Sequence, residues 1–304
     1  MSKESIMSAD AGFSRRGLLH RAAAGTAGTW AAAGMLGVGP GGDAAEAAPA
    51  EGKGRLKHSV SKWCYNRKLS FEELCRHAKR IGYVSIELIG PKEWPTVKKF
   101  GLTCAMAPGA GGISNGFNRK ENHAEQVEQM KKNIDLTAEA GLPNVICFSG
   151  NRKGQPDEEG VKNCVEGLEQ VVGHAEKKKI NICMEYLNSK VDHKDYQFDR
   201  MAYGAAIAKQ VGSPRFGILY DIYHAQIMEG DIIRTIRENH ECILHYHTGG
   251  NPGRNEIDDT QELNYGAIMR AIAETGYKGF VGQEFIPKRD PVKGLEQAFR
   301  ICNV

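Results

Sequence analysis

No C-x-x-C pair occurs in this sequence, although it holds 8 cysteines. All of them lie beyond residue 50. Six (Cys75, Cys104, Cys147, Cys164, Cys183 and Cys242) fall inside predicted strands or helices, so they read as small buried hydrophobes and not as a disulfide framework. No G-x-G-x-x-G follows the first predicted strand, which removes the main support for a dinucleotide-binding sheet. An excess of one charge is also missing. Lys and Arg number 40 against 37 Asp and Glu, a formal net charge of +3. With no basic cluster interleaved with aromatics, nucleic acid is not an expected partner. The nearest approach to a charge run, Glu176-Lys177-Lys178-Lys179, closes a predicted helix, where lysines offset the helix dipole. No linker splits the body into two domains.

What is present is alternation. From Leu56 onward an apolar run, a turn and an amphipathic stretch follow one another eight times. Strands are predicted at 58–64, 83–89, 102–107, 144–148, 180–186, 215–220, 242–247 and 279–285. The helices between them include 71–81, 122–140, 157–178, 199–211, 225–238 and 264–275, with 291–301 closing the chain. Ser70 and Glu73 form a capping box for the first helix, and Gly82, Gly101, Gly141, Gly212 and Gly276 stand at helix exits. Strict βα alternation over this length predicts a single (β/α)8 TIM barrel, with a doubly wound sheet as the alternative.

In such a barrel the carboxyl ends of the strands meet at one mouth. Strand five ends at Glu185, strand six at Asp221, strand seven at His247 and strand eight at Glu284. Three carboxylates gathered there without a partner repel one another and raise one another's pKa. A divalent cation resolves that conflict. Three oxygen ligands and one imidazole suit Mn²⁺ or Mg²⁺ best, with Co²⁺ or Zn²⁺ also admissible. Taken singly, each residue has a plainer reading as a helix cap, a surface acid or a hydrogen-bonded core histidine.

The stretches Glu185-Tyr186-Leu187-Asn188, Tyr220-Asp221-Ile222-Tyr223-His224, His245-Tyr246-His247, Gly253-Arg254-Asn255-Glu256-Ile257 and Gly282-Gln283-Glu284-Phe285 resemble the xylose-isomerase-like barrel superfamily of sugar phosphate isomerases and epimerases. Within it the chain is most similar to the hydroxypyruvate isomerase family. The likeness runs from about Leu56 to the C-terminus. The resemblance implies Glu185, Asp221, His247 and Glu284 as metal ligands, and His224 and Arg254 as substrate-binding groups. It places Glu87, at the end of strand two, as an acid near the pocket, there to bind substrate or to hold a loop.

The implied chemistry is isomerisation of a small hydroxy-carbonyl compound, a sugar or keto acid, through an enediolate. Glu185 and Glu284 form the acid/base pair. Trp63 and Phe117 read either as apolar walls of the pocket or as packing. Two departures bear on the substrate. Hydroxypyruvate isomerases commonly carry Gln where this chain has His247, a residue more like that of ketose 3-epimerases, and Val191 stands where those epimerases keep a further glutamate. Ketose 3-epimerase, a lyase or dehydratase acting on oxidised sugars, and an exported sugar-binding protein without turnover are therefore carried as alternatives. Loss of a rim carboxylate would favour the last, and none is lost. A metal-dependent nuclease would need further histidines at the rim, and His58, His77, His123, His174 and His193 do not form that set by spacing. Nothing in the sequence decides against a homo-oligomer.

Residues 1–50 stand outside the alternation, which leaves 51–304 as the barrel. Ser14-Arg15-Arg16-Gly17-Leu18-Leu19 precedes a weakly apolar Ala/Gly-rich stretch from Ala22 to Val38, followed by small-residue sites at Ala45-Glu46-Ala47 and Ala48-Pro49-Ala50. This resembles a twin-arginine export signal, with the export machinery as partner and the periplasm as destination. The stretch is too Gly-rich for a stable membrane span, and His20 and Arg21 lie at its edge. Replacing Arg15 and Arg16 together by Lys is expected to leave the precursor inside the cell, as read by fractionation and immunoblot. Processing and export like the parent would contradict the twin-arginine reading.

Overall fold

A computed structural model describes residues 54–304. The expected export signal at 1–50 lies outside the described residues. Eight parallel strands run β1 Lys57–Ser61, β2 Ser85–Glu87, β3 Ala107–Ala110, β4 Asn144–Cys147, β5 Asn181–Glu185, β6 Phe216–Asp221, β7 Ile243–Thr248 and β8 Phe280–Gln283. They are hydrogen-bonded in the order β2-β1-β8-β7-β6-β5-β4-β3. Between them lie α1 Phe71–Ile81, α2 Trp94–Lys99, α3 His123–Glu139, α4 Asp157–Lys178, α5 Met201–Val211, α6 Ile222–Met228, α7 Ile232–Asn239 and α8 Tyr265–Glu274, with α9 Pro291–Cys302 last. The predicted (β/α)8 barrel is the observed fold. No described helix is long and apolar enough to cross a membrane.

Two boundaries differ from the periodicity for identifiable reasons. The run at 102–107 does not form a regular ladder with β2, because the Ser85 hydroxyl accepts the Ala105 N–H at 2.7 Å and takes that donor out of the pairing. The barrel closes there through a single Ser85–Thr103 bridge and a Leu88 N–H to Met106 carbonyl bond of 2.9 Å. Regular pairing resumes one residue before Pro108, against β4. The single helix expected over 225–238 is two helices. Gly230 and Asp231 adopt φ of 67° and 45°, which an α-helix cannot accommodate, so α6 stops and α7 restarts. β1 also ends early, at Ser61. The chain then turns through a 3-10 segment, Lys62–Tyr65, that carries Trp63 to the barrel mouth.

Strand alternation divides the interior into two layers. Val60, Ile86, Val145, Ile182, Ile218, Tyr246 and Val281 pack outward against the helices in the main core. The opposite register faces the barrel axis, where Met106, Ile146, Cys183 and Leu219 form a separate apolar plug on the β3–β6 side. All eight cysteines are free, and seven are buried, as expected of small core residues. Cys104 and Cys242 lie outside the strands in which they were expected, and Cys64, at the end of the predicted strand 58–64, lies in the 3-10 segment after β1.

Candidate active site

Two residues beyond each inward position the same register reaches the mouth. Cys183 is followed by Glu185, Leu219 by Asp221, His245 by His247 and Gly282 by Glu284. Register pairs Asp221 directly with His247, and His247 with Gly282, so the rim residues stand side by side. Ligand atoms of Glu185, Asp221, His247 and Glu284 all lie within 4.8 Å of one another, and all four residues are buried. Asp221 does two jobs. Its Oδ1 accepts the N–H groups of Tyr223 and His224 at 2.9 and 3.2 Å, capping α6, while Oδ2 is left for the mouth. The plain helix-cap reading and the site reading are both true of it.

Burial sets the electrostatics. It pushes the Asp221 carboxyl up to about 7 against the pull of Arg254, and it raises Glu185 as well. Glu284 goes the other way: burial alone would raise it, but His247 and Arg254 hold it well below the usual carboxylate range. Burial opposes charge on His247 too, yet Glu284, Glu185 and Glu87 raise its pKa well above that of a free imidazole. The cluster therefore draws positive charge toward itself. His247 Nδ1 lies 2.8 Å from Glu284 Oε2 and 3.4 Å from Glu185 Oε1, but it makes no well-directed hydrogen bond to either. A buried ring nitrogen facing carboxylates in this way, with three acids in reach, is a donor set that fits a divalent ion.

Glu87 sits behind this ring. It is fully buried, and its Oε1 accepts from His247 Nε2 at 2.6 Å and from His245 Nε2 at 2.9 Å. Burial would raise its pKa, but the two imidazoles bring it down to about 2. Glu87, His245 and His247 also lie close enough to form a second candidate ligand set. Their nitrogens are already joined by hydrogen bonds to one carboxylate oxygen, which orients the His247 ring and turns Nδ1 toward the acids. Gly282 makes the room for this contact. A methyl there would stand 2.5 Å from Glu87 Oε1 and 2.9 Å from His247 Cδ2.

His224 and Arg254 close the mouth. Arg254 Nη2 donates to Glu284 Oε2 at 2.6 Å and to Asp221 Oδ2 at 3.1 Å, and its Nη1 lies 2.9 Å from His224 Nε2. The guanidinium lies over the rings of both Trp63 and Tyr223, 5.3 and 5.2 Å from their centroids. Trp63 also donates its Nε1–H to Glu284 Oε1 at 2.6 Å, so it belongs to the site. Phe117 does not. It is wholly buried against His123, as packing.

Of the histidines set aside by spacing, His193 comes to the mouth after all, its ring 5.3 Å from that of His224. Sequence reasoning also missed Asn188, Asp192 and Tyr223, which surround His224. Asn188 and Tyr223 stood in stretches that carry the family resemblance but were given no role, and Asp192 had only its position in the loop after β5.

Residues 75–303 match the model of the xylose isomerase-like TIM barrel family. The chain is 30% identical over 173 residues to a Homo sapiens protein named putative hydroxypyruvate isomerase, covering 55% of this chain and 62% of that protein. It is 25% identical over 237 residues to a 2-oxo-tetronate isomerase of Pectobacterium atrosepticum, covering 74% and 90%. Against its human, mouse and Drosophila relatives the chain spans 58–63% of their length. Among solved structures it is similar in fold to AP endonuclease, family 2, from Brucella melitensis. There the TM-score is 0.71 and the identity 22%, over 82% of this chain and 100% of that one.

Gly282→Ala tests the packing of Glu87 behind His247 without replacing a ligand. It is expected to weaken Mn²⁺ binding by about 10- to 100-fold, the range for losing a partner that orients a ligand, as read by isothermal titration calorimetry. Parental affinity in the variant would show that the contact behind His247 does not matter for holding the ion.

Proposed function

Because the chain belongs to the xylose isomerase-like TIM barrel family, we propose that it is an isomerase of a small 2-keto-3-hydroxy acid, hydroxypyruvate foremost. The observation that carries this reading is the pairing of two buried glutamates, Glu185 and Glu284, with two donors, His224 and Arg254, around one mouth. The names of the human and Pectobacterium relatives point the same way.

The difficult step is removal of a carbon-bound proton beside a carbonyl. A divalent ion held by Glu185, Asp221, His247 and Glu284, with Mn²⁺ or Mg²⁺ best suited and Co²⁺ or Zn²⁺ admissible, would supply positive charge to the oxygens that become negative as the proton leaves. The protein's own groups do the rest. One of Glu185 and Glu284 takes the proton from the hydroxymethyl carbon, giving an enediolate. The other, entering protonated, returns a proton to the former carbonyl carbon while the hydroxyl proton passes to the former carbonyl oxygen, leaving an aldehyde where the alcohol was. Arg254 and His224 hold the carboxylate end, which is where a planar guanidinium is most selective. Trp63 fixes Glu284 by its N–H and shields one side of the guanidinium. Glu87 holds His247 in place instead of meeting the substrate.

A ketose 3-epimerase is the second reading, favoured by His247 in a place where an amide is expected. Against it, Val191 stands 63% exposed where those epimerases keep an acid. Location in the periplasm remains a proposal that rests on Arg15 and Arg16.

Glu284→Gln keeps the size and one oxygen but removes one member of the acid/base pair. At saturating Mn²⁺ it is expected to lose about 10²-fold or more in kcat. It should also stop solvent deuterium from entering hydroxypyruvate beside the carbonyl. Near-parental turnover at full metal occupancy would make Glu284 a ligand only and overturn the two-glutamate mechanism.

A further inference from the structure

His224 is completely buried, and both of its ring nitrogens have close neighbours. At Nδ1 two groups of one residue converge: the Asn188 backbone N–H at 3.2 Å and its side-chain Nδ2 at 2.6 Å. The orientation of that amide is fixed independently. Its Oδ1 accepts the N–H groups of Val191 at 2.9 Å and Asp192 at 3.0 Å, so the atom beside the ring is the NH2 group. One of its hydrogens goes to Asp192 Oδ2 at 2.7 Å, which leaves the other for His224. Two donors on Nδ1 require a lone pair there. A neutral imidazole has only one, so the proton is on Nε2.

Among the described residues that proton meets no proper acceptor. Nε2 faces Arg254 Nη1 at 2.9 Å, and a guanidinium nitrogen only donates. The nearest carboxylate oxygen, Asp221 Oδ2, is 3.6 Å away and already receives Arg254 Nη2. Two donors thus face each other across 2.9 Å, a conflict that an acceptor beside the pair relieves. Such a pair is complementary to a single oxygen that carries negative charge.

We propose that Asn188 is a positioning residue that fixes His224 in its Nε2–H tautomer, so that His224 Nε2–H and Arg254 Nη1–H act as a paired donor for one carboxylate oxygen of the substrate. This rests on the reading of the mouth as the substrate site. It narrows the substrate class to compounds with a carboxylate next to the reacting carbons, and it assigns that choice to the loop after β5. A simple ketose presents a neutral hydroxyl at the same point, which accepts from the two donors but offers no negative charge to the guanidinium, so it is held there more weakly than a carboxylate oxygen.

The tautomer can be read without turnover, from long-range proton–nitrogen correlation spectra of the full chain labelled with ¹⁵N-histidine. Signals of His224 are identified by their loss in His224→Gln. At neutral pH they are expected to show a protonated Nε2 and an unprotonated Nδ1, and D-glycerate in the presence of Mn²⁺ is expected to shift Nε2. Asn188→Asp keeps the acceptor for the Val191 and Asp192 N–H groups but puts a carboxylate oxygen beside Nδ1. That change should draw the proton to Nδ1 and weaken glycerate binding by 10-fold or more. A protonated Nδ1 in the parent overturns the role given to Asn188 and leaves the proposed isomerase standing. The expected tautomer with no response to glycerate overturns the donor pair, and with it the reading of this mouth as a carboxylate site. Parental tautomer and affinity in Asn188→Asp also overturn the proposal.

Discussion

Three carboxylates are buried within one another's reach at the mouth of this barrel, with a fourth, Glu87, behind them, and nearly every feature around them follows from how that charge is met. An unpaired buried charge costs several kcal/mol or more, and like charges a few ångströms apart cannot all stay ionised. Among the described residues two cationic groups answer them. Arg254 bridges Asp221 and Glu284, and His247 lies between Glu284 on one side and Glu87 on the other. Two positive groups against four acids leave a deficit, and the neighbouring acids add to burial, the larger cause, in raising Asp221 and Glu185. A divalent ion is the simplest way to close it.

The fold supplies this concentration of charge at little local cost. In a parallel barrel the inward register of each strand ends at the same rim, so one polar residue per strand, two places beyond an inward core or floor residue, is enough. The apolar plug of Met106, Ile146, Cys183 and Leu219 lies on one side of the floor, and the hydrogen-bonded group of Glu87 and His245 on the other. The loop that delivers Arg254 is pinned from outside. Glu256 Oε1 accepts the N–H groups of Lys288 and Arg289 at 3.1 and 2.9 Å, and the Ile286 N–H donates to the Arg254 carbonyl at 2.7 Å. Those contacts tie the β7–α8 loop to the β8–α9 loop and hold Arg254 at a φ of 56°, a conformation few side chains other than glycine adopt.

Much of this was legible in the chain, because periodicity and strand ends are local signals. The eight-fold alternation and the four rim residues came from runs of apolar residues and the polar residue that stops each one. What was not legible depended on contacts between distant segments. Glu87 read as an acid near the pocket, and only the 2.6 Å contact to His247, 160 residues away, shows that it lies behind the ring. Trp63 was an ordinary aromatic until the chain turned early after Ser61 and laid it over Arg254. Phe117 carried the same local signal and went into the core. Spacing set His193 aside because it sits in an irregular loop, where no period predicts direction. The break at Gly230 was missed because one glycine inside an amphipathic pattern is often tolerated in a helix.

The central claim is that the buried acids and His247 form a site for one divalent ion. The direct measurement is titration of the metal-free protein with Mn²⁺, followed by electron paramagnetic resonance of the free ion and by thermal unfolding of the same samples. The account predicts one ion bound per chain and a midpoint of unfolding that rises with free Mn²⁺, since an ion bound only by the folded state must stabilise it. Asp221→Asn should bind less and lose most of that rise. A parent protein that takes up no ion and unfolds at the same temperature with and without Mn²⁺ would contradict it.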